Sequence, residues 1–189
     1  MIQMFFGTQR LACHPLKNSV DSFRRIVTED ELVQRFFLIE DVNEFLNSLE
    51  SSECFPCGVY KSSPGKSISS DMPLVGYING YIYSTGELLV EFFIAENYRQ
   101  QGYASELLNS YLLQCQKIGF HSFRFEVEDD NAICKSFMKS LGAHRCENED
   151  FSDALRHFCV YKITYWSTQN GYNAVASKTE KWKSQRLLF

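Results

Sequence analysis

Apolar residues along the chain recur at two spacings. In residues 105–117, Leu107, Leu108, Tyr111, Leu112 and Cys115 repeat every three or four positions, which places them on one face of a helix. Residues 74–83 alternate instead, as a strand does, and Ser84-Thr85-Gly86 turns them into a second apolar strand over 87–95. Further strands are predicted at 123–128 and 157–165, with a helix over 131–141 between them that stops at Gly142.

The first half is less regular. Residues 22–28 read as a strand, and Thr28-Glu29-Asp30-Glu31 reads as a capping box that opens a helix carrying Phe36, Phe37 and Ile39. Asp41 is placed to cap a short helix with Val42, Phe45, Leu46 and Leu49 on its apolar side. Residues 55–60 form a candidate strand, and the Ser-, Gly- and Pro-rich stretch 62–73 a loop. The order of strands, helix, strand, helix, strand predicts a mixed α/β sheet. Residues 1–21 then form an irregular extension, 22–165 the domain, and 166–189 a basic tail with Lys178, Lys181, Lys183 and Arg186. That tail reads as a solvated extension, or as a docking segment for a partner, a membrane surface or a second copy in a homodimer.

Composition narrows the function classes. A length of 189 residues fits one domain, and 44% hydrophobic content with only 10 Gly and 4 Pro excludes a collagen-like or disordered chain. Nineteen Lys and Arg against 23 Asp and Glu leave a net charge of −4, so no nucleic-acid partner is expected. The longest apolar runs, Phe36-Phe37-Leu38-Ile39 and Phe92-Phe93-Ile94-Ala95, fall far short of the ~20 residues a membrane helix needs. The start lacks a basic leader, and seven cysteines are an odd, scattered set. Both point to a reduced, cytoplasmic setting. Cys54-Phe-Pro-Cys57 has no second cysteine pair to complete a zinc site, so no metal is expected.

Ile94-Ala-Glu-Asn-Tyr-Arg99-Gln-Gln-Gly102-Tyr-Ala104 links an apolar strand to an amphipathic helix. Free N–H groups at a helix start attract anions. Gly102 and Ala104 are small enough for a pyrophosphate to approach, and Arg99 adds positive charge. The same residues also suit an ordinary strand-to-helix turn.

This segment resembles the acetyl-CoA loop of the GNAT superfamily of N-acetyltransferases, whose signature is Arg/Gln-x-x-Gly-x-Gly/Ala after a strand ending in a branched residue. Arg99, Gly102 and Ala104 fill the signature after Ile94. Downstream, Asn131-x-x-Cys134-x-x-Phe137 followed by Leu141-Gly142-Ala143 resembles the family's asparagine-led helix. The resemblance implies a mostly antiparallel central sheet flanked by helices, and acetyl-CoA as acyl donor for an amine acceptor. By position, the backbone of Phe92, Phe93 and Ile94 would pair with the pantetheine arm. The amides of Gln100, Gln101, Gly102, Tyr103 and Ala104 would hold the pyrophosphate, and Asn131 and Phe137 would flank the arm. Gln100 stands where many members carry glycine, and Met138 where many carry an acidic tyrosine.

Acyl transfer to an amine needs a base, because amines are mostly protonated at neutral pH. Glu126 and Glu91 are both candidates: the first in Phe123-Arg-Phe-Glu-Val-Glu128, the second interrupting an apolar strand. Tyr161 is a candidate proton donor for the leaving thiolate in place of Met138. The acceptor is unspecified, although Glu29, Asp30, Glu31, Glu40, Asp41, Glu44 and Glu50 against Arg35 would suit a cation. The rival class is a catalytically silent acyl-CoA-binding module, which Met138 favours.

Overall fold

Phe23 and Val27 stand four residues apart with Ile26 beside them, and that spacing prevails over the β-branched end of the segment. Residues 22–28, expected as a strand, lie inside α1 (Val20–Glu29), with Phe23 and Val27 buried. Thr28 therefore caps nothing: its hydroxyl donates to the Arg24 carbonyl within α1. Asp30 takes the capping part, accepting from the Val33 N–H at 3.3 Å before α2 (Glu31–Phe37). Asp41 caps α3 (Val42–Ser48), as expected, accepting from Asn43 and Glu44.

The computed structural model describes residues 4–37, 39, 41–62, 73–84, 86–153 and 156–165. Residues 6–14, expected to be irregular, instead form β1 (Phe6–Gly7) and β2 (Leu11–His14), which extend the sheet at one edge. Leu11, Ala12 and Cys13 are buried together, so this strand shows no alternation to read in the sequence. The tail 166–189 and most of the 62–73 loop lie outside the described residues.

Chain order then gives β3 (Cys57–Lys61), β4 (Leu74–Ser84) and β5 (Glu87–Ile94). They are followed by α4 (Tyr103–Lys117), β6 (Ser122–Glu128) and α5 (Ala132–Ser140). Short β7 (His144–Arg145) and β8 (Phe151–Ser152) precede β9 (His157–Thr164). The sheet order is β1-β2-β3-β4-β5-β6-β9-β7, with β8 also on β9. Among these pairs only β5–β6 is parallel, because α4 carries the chain across between them.

Two apolar layers sandwich the sheet. On one face, Leu107, Leu108, Tyr111 and Leu112 of α4 and Phe137 and Met138 of α5 pack on Leu88, Val90, Phe123 and Phe125. On the other, Phe23, Val27 and Val33 from α1 and α2 pack on Tyr77 and Phe93. The fold is the expected mixed, mostly antiparallel sheet with helices on both faces.

Candidate active site

β5 and β6 pair only over Glu87–Leu89 against Ser122–Arg124. Beyond that point β5 stays paired with β4 as far as Ile94, and β6 with β9 as far as Glu128. The two halves of the sheet therefore part at Val90 and Phe125. Among the described residues, the β5 edge over Val90, Glu91, Phe92 and Phe93 has no strand partner on the side of the gap. Phe92 packs on Phe137 of α5, ring centroids 5.9 Å apart, so α5 covers this opening from one face. Asn131 caps α5, its Oδ1 accepting from the Cys134 N–H at 3.0 Å.

At the end of β5 the chain turns through Glu96–Tyr98 into α4. Gly102, the residue before the helix, has φ 77°, a left-handed backbone that favours glycine. Gln100 adopts φ 62° without being glycine, a strained conformation that costs on the order of 1 kcal/mol. The first bond into α4 runs from the Glu106 N–H to the Gly102 carbonyl at 3.2 Å. Among the described residues, no acceptor pairs with the backbone N–H groups of Gln100, Gln101, Gly102, Tyr103, Ala104 or Ser105. A side chain on Gly102 would begin in ordinary van der Waals contact with the Arg10 Nη2, 3.5 Å away. These features suit an incoming anion.

Arg99 departs from its expected part. Its Nη2 lies 2.6 and 2.5 Å from the two carboxylate oxygens of buried Asp30, and its Nε donates to the Ile94 carbonyl at 2.9 Å. Arg99 thus ties the α1–α2 junction to the end of β5, and its charge is matched by Asp30. The Asp30 Oδ2 also accepts from the Glu96 N–H at 3.1 Å. Sequence reasoning placed Asp30 on an acidic rim; it is buried at this joint instead.

The two candidate bases occupy the sheet face opposite α4, in contrasting surroundings. Glu91 Oε1 accepts from the hydroxyls of Tyr77 at 2.9 Å and Tyr81 at 2.8 Å. Burial pushes the Glu91 carboxyl up, and the hydrogen bonds from Tyr81 and Tyr77, with the Asn79 amide nearby, only partly oppose it. Among the described residues no lysine or arginine pairs with it. Glu126 instead accepts from the Arg124 Nε at 2.7 Å. Arg124 also reaches Glu149, which is bridged by Lys162, which in turn reaches Glu87 at 3.1 Å. Glu126 is one member of a charged lattice.

Tyr161 lies opposite Phe125 and is buried with α5 on the other face of the sheet. Its hydroxyl has no hydrogen-bond partner among the described residues, and burial pushes its pKa up. Met138 is buried in the same layer. Asn79 and Arg10 were not singled out from the sequence. Asn79 follows a strand alternation that gives no sign of its burial beside Glu91, and Arg10 sits in a segment read as irregular.

Cys54 and Cys57 are free thiols. Among the described residues, no group of three His, Cys, Asp or Glu side chains is placed to hold a metal ion. Among those residues, no helix is long and apolar enough to cross a membrane.

A mostly antiparallel sheet that parts beside a helix start with free amides defines the α/β class of this protein. Residues 21–143 match the model of the acetyltransferase (GNAT) family, and the chain belongs to that family. Solved structures of the same fold include a GNAT-family acetyltransferase from Bacillus anthracis, with 19% identity and a TM-score of 0.65 over 85% of this chain and 98% of that one. Mycobacterium smegmatis RimJ in complex with CoA-disulfide aligns with 12% identity and a TM-score of 0.65, over 87% and 90%. Among curated proteins none matches the chain in sequence.

Proposed function

We propose that the protein is an N-acetyltransferase that moves the acetyl group of acetyl-CoA directly to a primary amine. The observation that carries this reading is the placement of Glu91. It stands on β5 just past the point where β5 leaves β6, held by two neutral hydroxyls and no cation. A carboxylate so placed is more basic than an exposed one and suits proton removal from an ammonium.

In this reading the unpaired edge of β5 over Phe92, Phe93 and Ile94 holds the pantetheine arm, with Asn131 and Phe137 on its other side. The amides of Gln100 to Ala104 hold the pyrophosphate. Glu91 takes the proton from the amine, directly or through water, and the freed amine attacks the thioester carbonyl. The carbon–sulfur bond then breaks, the thiolate takes a proton from Tyr161 or water, and the second proton of the attacking nitrogen restores that donor as the amide forms. Arg99 acts on the loop's shape through Asp30. Glu126 braces the neighbouring strand. RimJ, solved with CoA-disulfide, supports a CoA compound as the ligand for this fold.

Glu29, Glu31 and Glu44 on the helices, and Glu50 just after them, remain exposed, in keeping with a cationic acceptor. A reduced cytoplasm agrees with the seven free thiols. The deciding experiment is thiol release from acetyl-CoA across a panel of primary amines, beside calorimetric titration with CoA. Release with any amine supports the enzyme. Burial of Met138 where a tyrosine acid is common favours the silent module, and tight CoA binding without turnover across the panel selects it. Absence of CoA binding overturns both.

A further inference from the structure

Two side chains at the tip of the β1–β2 hairpin, Thr8 and Arg10, are directed at the first turns of α4. Thr8 Oγ1 is hydrogen-bonded to Glu106 Oε1, and the Arg10 backbone N–H donates to the same oxygen at 2.9 Å. Arg10 Nε and Nη2 both reach Glu106 Oε2 at 2.6 Å. Its Nη1 donates to the Gln101 carbonyl at 2.9 Å, and its guanidinium lies 4.5 Å from the centre of the Tyr103 ring. One arginine from a hairpin at the sheet edge thus touches three residues of the loop and helix start.

We propose that Arg10 is the positioning residue of the CoA phosphate site, keeping the loop amides turned toward the anion and cancelling the Glu106 carboxylate beside them. The proposal rests on the acetyl-CoA reading above. Two physical arguments carry it. A peptide is planar and trans, so its C=O and the following N–H point in opposite directions. With the Gln101 carbonyl anchored on Arg10, the Gly102 N–H is directed away from the hairpin. Gln101 lies between two left-handed residues, Gln100 and Gly102, and Gln100 holds that backbone without being glycine, so an anchor on the Gln101 carbonyl helps to hold a costly loop shape.

The second argument is charge. A carboxylate in the first turn of a helix is favourable for the helix dipole, yet it competes with any other anion at the same end. Arg99 does not offset it, since its charge is matched by Asp30 and its Nε is taken by the Ile94 carbonyl. Arg10 does, through paired contacts from one side chain. Burial raises Glu106, but hydrogen bonds from Thr8 and Arg10 outweigh it and hold the carboxyl below its ordinary pKa, so it stays charged.

The test is calorimetric titration of the full chain with CoA, at low and at high salt, for wild type, Arg10→Met, Glu106→Gln and the double variant. Arg10→Met should weaken CoA binding about tenfold at low salt, and by less at high salt, where the unpaired Glu106 charge is screened. Glu106→Gln alone should bind CoA at least as well as wild type. The double variant should recover part of the loss, because the charge is gone while the Gln101 anchor is still missing. Arg10→Lys, which keeps the charge without the fork, should fall between wild type and Arg10→Met and covers the case in which Arg10→Met fails to fold. Folded Arg10 variants with unchanged affinity overturn the proposal, as does a loss that neither salt nor Glu106→Gln reduces. Wild-type protein that binds no CoA overturns the acetyl-CoA reading, and this proposal with it.

Discussion

Glu91 and Glu126 sit on neighbouring strands and on the same face of the sheet, yet their surroundings assign them opposite work. Around Glu91 the donors are neutral: Tyr77, Tyr81 and, beside them, Asn79. Around Glu126 the donor is a buried arginine within a lattice of Arg124, Glu149, Lys162 and Glu87. Hydroxyls stabilise a carboxylate without giving it a cation, so desolvation still dominates and its proton affinity rises. A guanidinium at 2.7 Å ties Glu126 into an ion pair instead. The two carboxylates differ in the charge of their donors, not in their place on a strand.

The sharpest way to break this contrast is to remove each carboxylate in turn. Glu91→Gln should lower turnover at neutral pH by about a hundredfold or more, with CoA affinity nearly unchanged. The deficit should shrink at high pH, where amines deprotonate unaided. Steady-state thiol release over a pH series checks both. Equal turnover in Glu91→Gln and wild type would remove Glu91 from the chemistry.

Next in size is the effect of the hydroxyls. Tyr81→Phe takes away one donor that favours the charged form of Glu91, so the carboxyl should rise further. Because the base must be deprotonated, activity climbs with pH through the Glu91 pKa, and this acid limb should lie above the ordinary ~4.3 of a glutamate. In Tyr81→Phe the limb should move to still higher pH, with the maximal rate less affected than the rate at neutral pH. An unmoved limb would mean that a different group controls it.

A smaller effect belongs to stability. Glu91 holds its proton more tightly in the folded chain than in the unfolded one. Its contribution to stability is therefore fully present below the ordinary carboxylate pKa and is lost as pH rises through its folded pKa. Urea unfolding across mildly acidic pH should show this decline in wild type and a flatter profile in Glu91→Gln.

Glu126→Gln should give the smallest change. The amide still accepts from Arg124, and Arg124 keeps Glu149, so the expected loss is about 1 kcal/mol of stability or less. Turnover should stay near the wild-type value. A large fall in turnover with an intact fold would reverse the comparison and make Glu126 the base.

Much of this arrangement is legible in the chain. The three- and four-residue spacing of Leu107, Leu108, Tyr111 and Leu112 specifies α4, and the alternation in 74–83 specifies β4, because those periods match the geometry of helix and strand. Arg99, Gly102 and Ala104 mark the turn before α4, since a left-handed residue at its start selects glycine. Tertiary structure decided the rest. Residues 22–28 carry too few turns for their period to be unambiguous, and packing against Tyr77 and Phe93 makes them helical. The strand at Leu11–His14 is buried through Leu11, Ala12 and Cys13, so no alternation announces it. Charge partners were undecidable from sequence for a simpler reason: Asp30 meets Arg99 across 69 positions, and Arg10 meets Glu106 across 96. Sequence by itself determined local periods and the glycine-bearing turn; only the folded sheet decided which charges would be spent on one another and which carboxylate would be left beside neutral hydroxyls.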